Sequence, residues 1–153
     1  MTKPLKHPIA MLPDYREDGY GWAMAQAALL RARRFGEIDL ANVIEEIESV
    51  GRSEQSAAES ALRVLMMHIL KWQAQPERRS RSWALSIAEQ RLRYDRRMAR
   101  NPGLKPLVDE MREHAYQRAR INAAQETDLP LSSFPLKPPG WAMILDEPFD
   151  SEP

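Results

Sequence analysis

Residues 61–70 read Ala-Leu-Arg-Val-Leu-Met-Met-His-Ile-Leu, apolar on almost every side of a helical wheel. A helix with no polar face must be surrounded by neighbours, so this run predicts the centre of a helical core. Upstream, Leu40, Val43, Ile44, Ile47 and Val50 form a stripe at three-and-four spacing, with Asp39 as a candidate N-cap. Gly51 reads as a stop and Ser53 as a fresh cap, with one continuous kinked helix as the alternative. Packing of helix on helix predicts that these stripes are core.

The same period continues on both sides. Asp14 followed by Glu17 resembles a capping box, and Tyr15, Trp22, Ala25, Leu29 and Ala32 keep helical spacing up to Phe35-Gly36. Gly19 and Gly21 weaken the first turns, which moves the expected start toward Asp18. After Pro76 a helix is predicted over 79–99, with Trp83, Ile87, Gln90, Tyr94 and Met98 on one face. Leu85 and Leu92 lie on the opposite face, so this helix is either gripped on two sides or forms a self-association surface. Asn101-Pro102-Gly103 is a turn, and Leu104, Leu107, Val108, Met111, Ala115 and Ala119 mark the last long helix. Pro130, Pro135, Pro138, Pro139 and Pro148 forbid a long helix beyond it, leaving one or two turns at Trp141 to Leu145. The fold class is therefore all-α, a bundle of four to five main helices. The expected organisation is a single helical domain over 1–153, with 1–13 a loose N-terminal arm and 128–153 a proline-rich tail packed on the bundle.

Composition agrees with a globular chain: 153 residues, 43% hydrophobic and 29% charged. Without cysteine there is no disulfide and no thiolate metal site. The N-terminus, broken by Pro4 and Pro8, does not read as a signal peptide, and no run is long enough for a membrane span. A cytoplasmic protein with no membrane partner is the expectation.

Twenty-two basic and 22 acidic side chains cancel, which makes nucleic acid an unfavoured partner. The charges are segregated, however. Glu37, Asp39, Glu45, Glu46 and Glu48 occupy 37–48 without a base, whereas 77–100 holds eight arginines against Glu77, Glu89 and Asp95. Either the two blocks face each other within the fold, or the basic one takes an external anion.

Polar chemistry is densest at Lys71–Trp83. Lys71, Arg78, Arg79 and Arg81 are the candidate anion-binding residues, and Trp72 and Trp83 the candidate stacking faces. Arginines at a helix start oppose the helix dipole unless an anion or carboxylate neutralises them. His68 flanks the apolar run and reads either as a hydrogen-bonded core histidine or, with Glu46 or Glu48, as an acid/base or metal group. Neither a Glu-x-x-His pair nor a phosphate-binding glycine loop is present, so no metal site and no cofactor are assigned.

The runs DLANVIEEIESVGRSE, LMMHILKWQAQPERRSRSW, AYQRAR and AQETDLPLSSFP resemble the bacterial family catalogued as domain of unknown function twenty-nine. The resemblance spans Asp14 to Leu145, and KWQxQPxxRSxSW over Lys71 to Trp83 is its most specific element. It implies a compact helical domain and brings no activity, substrate or catalytic residue with it. The preferred reading is a non-enzymatic interaction or regulatory module whose partner is a protein or a phosphate-bearing ligand. A homo-oligomer stays open. The alternative is a small enzyme with Glu46, Glu48 or His68 at its centre and arginines holding an anionic substrate.

Overall fold

The structure, a computed structural model, describes residues 11–150. The expected arm over 1–13 falls mostly outside them. Among the described residues no strand forms, and the all-α fold with four to five main helices is what the chain adopts. The helices are α1 (Gly19–Arg31), α2 (Leu40–Ala74), α3 (Arg81–Arg100), α4 (Val108–Thr127) and the short α5 (Trp141–Leu145). The chain divides into two compact units, Met1–Val50 and Gly51–Pro153.

In the first unit α1 begins at the later of the two expected positions. Asp18 caps it by accepting from the Gly21 amide at 2.8 Å. A Cβ at Gly21 would lie 2.1 Å from the Asp18 carboxylate, which is the physical reason for glycine there. The helix ends earlier than Phe35-Gly36, because Arg33 turns left-handed with φ 58°. Trp22 and Gln26 are buried and hold the start of α2. The Trp22 indole donates to the Asp39 carboxylate at 3.0 Å, and the Gln26 side-chain oxygen accepts from the Asp39 amide at 2.8 Å.

Two expectations change here. The break at Gly51 does not occur: α2 runs through 35 residues without interruption. Gly51 has no positive φ, so it costs helix propensity, about 1 kcal/mol, without forcing a stop. The stripe on the first turns of α2 is also not core. Leu40, Ile44, Ile47 and Val50 are 64, 45, 67 and 66% exposed.

The second unit holds the core. Ala58, Leu62, Leu65, Met66 and Ile69 are fully enclosed, together with Ile87, Met111, Tyr116 and Ile144. α3 runs antiparallel to α2, since Glu54 on α2 meets Arg97 near the far end of α3 while Lys71 meets Trp83 near its start. α4 runs parallel to α2, as the ascending pairs Arg63–Asn122 and Lys71–Glu126 show. Ala115, Ala119 and Ala123 are buried one turn apart on α4, and their small side chains let its backbone approach the core closely.

The proline-rich segment after α4 forms only short helical turns, which cannot satisfy all of its carbonyls. Arginines do this instead. The Arg91 guanidinium donates to the carbonyls of Ile144 at 2.8 Å, Met143 at 2.9 Å and Glu147 at 2.8 Å. Buried Arg120 reaches the carbonyls of Leu131 and Phe134, and the Tyr116 hydroxyl donates to that of Pro135 at 2.7 Å. Arg91→Ala removes three charge-assisted hydrogen bonds and should lower the unfolding free energy by about 2–3 kcal/mol. Urea melts measure that loss, and native-state chymotrypsin should cut faster after Trp141. Unchanged stability together with unchanged cleavage would show that the tail is held by other contacts.

Candidate functional site

The Lys71–Trp83 segment closes on itself. α2 ends at Ala74, leaving terminal carbonyls without helical partners. Arg79 supplies one donor: its Nε bonds the Trp72 carbonyl at 2.8 Å, and its guanidinium lies 5.1 Å from the Trp72 ring centroid. A cation at this position favours the dipole of α2, although the same residue precedes the start of α3. Lys71 is buried, with its ammonium 2.5 Å from Glu126 and 4.6 Å from the centroid of Trp83. Trp72 is buried edge-on to Phe149. Ser80 caps α3 by accepting from the Trp83 amide. The charged and aromatic groups of Lys71, Arg79, Trp72 and Trp83 are thus engaged inside the unit. The side chains of Arg78 and Arg81 are exposed and have no hydrogen bond or ion pair among the described residues.

His68 differs from the hydrogen-bonded core histidine expected of it. Its ring is half-buried, and Nδ1 has no partner among the described residues. Burial holds its pKa below the ordinary value, Lys71 adds to this, and Glu126 pulls the other way. Glu46 belongs to the first unit, where it accepts from the Tyr15 hydroxyl at 2.6 Å. Glu48 lies in the same unit, is exposed, and is itself engaged. Among the described residues no group of three or more His, Asp or Glu side chains is arranged to hold a metal.

A concave surface of the second unit lies elsewhere. A groove of about 850 Å³ separates the middle of α2 from α3. Small side chains make it: Ala57, Ser60, Ala61 and Val64 on α2 leave the space that larger residues would fill. Its opposite wall carries Arg93, Arg96, Arg97 and Arg100, with Leu92 at the lip. Glu54 takes Arg97 at 3.0 Å and the Asn101 amide at 2.7 Å, and these bonds hold its carboxyl below the usual range. Glu89 takes Arg93 at 2.8 Å. Arg96 and Arg100 are exposed with no ion pair among the described residues. Leu85 and Leu92, 56 and 61% exposed, extend an apolar line along the same helix.

A smaller cavity of about 210 Å³ lies between α2 and α4, with Ser56, Glu59, Arg63 and His114 in its lining. His114 Nδ1 stands 3.9 Å from Glu59, beyond hydrogen-bond distance.

Sequence reasoning grouped the α3 arginines as a basic block. It missed the groove, because its floor consists of small α2 residues whose only signal was their size.

Fold and groove define a small all-α protein with a basic channel between two antiparallel helices. Within that class the chain belongs to the family Domain of unknown function DUF29, whose model matches residues 15–150. No curated protein and no solved structure matches it.

His68 carries a pH prediction. Below its ordinary value of 6.5 an imidazole in the unfolded chain takes up a proton that the fold resists. The unfolded state then binds more protons, so stability falls as pH drops through that value. His68→Phe removes both the unpartnered nitrogen and the titration. Its melting temperature should equal or exceed that of the parent at neutral pH and fall less on acidification to roughly pH 5. An unchanged acid slope would assign that loss to other groups.

Proposed function

We propose that the chain is a cytoplasmic, non-enzymatic interaction module that binds an acidic amphipathic helix through the groove between α2 and α3. The observation that carries this reading is the groove itself, an apolar floor of small residues facing a row of guanidinium groups with Leu92 at the edge. Guanidinium forks match carboxylates with bidentate geometry, and an apolar floor takes the hydrophobic face of a helix. A neutral net charge gives no long-range pull toward a phosphate backbone, which favours a partner recognised at short range. No helix among the described residues is long and apolar enough to cross a membrane. Arg78 and Arg81, at the other end of α3, extend the positive surface of the module.

The test uses a fluorescein-labelled synthetic helix with leucines at heptad spacing flanked by glutamates, titrated by anisotropy. Binding should weaken as salt rises, because the pairing is at the surface. Arg96→Glu combined with Arg100→Glu should weaken it about tenfold or more, since two attractions become repulsions. A scrambled peptide of equal charge that binds as well would overturn the reading. So would a duplex DNA that binds more tightly through the same arginines.

A further inference from the structure

The first unit of this chain presents the kind of helix that the groove accepts. Leu40, Ile44 and Ile47 lie within one narrow arc of α2, with Val50 at its edge, and all four are exposed. Four large apolar side chains in succession along three turns form an uncovered stripe. Glu46 and Glu48 border it on its two sides, in a segment where 37–48 carries five acids and no base. Across the groove the balance is reversed: four arginines stand with Glu89 as the acid on the same wall.

The spacing also agrees. Leu40 and Ile47 are seven residues apart, as are Leu85 and Leu92 on α3, of which Leu92 lines the groove, so the two intervals match at about 10.5 Å along the helix axes. Two helices with matching seven-residue repeats can pack along their length.

We infer that the acidic helix bound in the groove belongs to a second copy of this chain: the Leu40–Val50 stripe of one protomer lies along α3 of the other, over Leu92, Arg96 and Arg100. This rests on the groove reading above and names its partner. Each copy carries both halves of the contact, and reciprocal exchange between two copies is the simplest assembly that uses both. The stripe supplies the apolar area, and the carboxylates on its borders meet the guanidinium row and set the register.

Sedimentation velocity of the full chain, from low to high micromolar, reads the outcome. The wild type should form a dimer that dissociates in high salt. Glu46→Lys with Glu48→Lys should be monomeric, as should Arg96→Glu with Arg100→Glu, each with unchanged circular dichroism. Tyr15→Phe separates the hydrogen bond that Glu46 accepts from the effect of charge, and this variant should still dimerise. Mixing the two charge-reversed variants restores opposite charges at both contacts, so an equimolar mixture should sediment as a dimer. A wild type that stays monomeric while still binding the synthetic helix would overturn the second copy as partner and leave the groove reading intact. A monomer that also ignores the synthetic helix would sink both. A dimer that persists in either reversed variant, or a mixture that stays monomeric, would place any association on another surface and overturn this inference.

Discussion

From Ala58 to Trp72, α2 has almost no face fit for water, and everything after it in the second unit is arranged to cover it. Leu62, Leu65, Met66 and Ile69 are fully buried, and a helix enclosed on that many sides needs partners from several directions. α3 covers it antiparallel, α4 parallel through a row of buried alanines, and Ile144 of α5 closes what remains. Because apolar burial is the dominant favourable term, the order of these elements follows from that one helix.

The cost of such enclosure is polar groups removed from water, and the chain answers with arginine and lysine. Arg79 supplies a donor at the end of α2, Arg91 and Arg120 supply donors to a tail whose prolines allow only short helical turns, and Lys71 is fixed between Glu126 and Trp83. A guanidinium suits this task because its donors fan out in one plane and reach several carbonyls at once. His68 is half-buried with Nδ1 left unpartnered among the described residues, as are the buried Nε atoms of Arg112 and Arg120. Two of the four cationic side chains of the Lys71–Trp83 segment, Lys71 and Arg79, are in this light mortar, and Arg78 and Arg81 are exposed without an ion pair among the described residues.

What remains for a partner is set by difference. Arg96 and Arg100 stand along α3 beside the small residues of α2 with no ion pair among the described residues, and Leu40, Ile44, Ile47 and Val50 at the start of α2 are among the apolar residues left uncovered. Their complementary charge and equal spacing are properties of surface that folding did not use. A stable fold does not require such features, which is why they are the place to look for function.

The sequence by itself determined that the chain is helical and where most of the helices lie, though not the end of α1 or the continuity of α2 through Gly51. The start of α1 near Asp18 is legible, the Asn101-Pro102-Gly103 turn precedes α4, and Trp141 to Leu145 makes its single short helix. It also determined that residues 61–70 are central, because no arrangement leaves so apolar a helix in water. These are local properties, fixed by backbone donors, side-chain caps and periodicity. Only the tertiary structure decided which stripes are covered: Leu40, Ile44 and Ile47 repeat as regularly as Leu62, Leu65 and Ile69, yet the first set is exposed and the second is not. Periodicity states which residues share a face but not whether another element lies over it. The same limit applied to the arginines. Arg79, Arg91 and Arg120 cannot be told from Arg96 and Arg100 in sequence, because a long flexible side chain takes its role from the carbonyl or ring that tertiary packing brings within its reach.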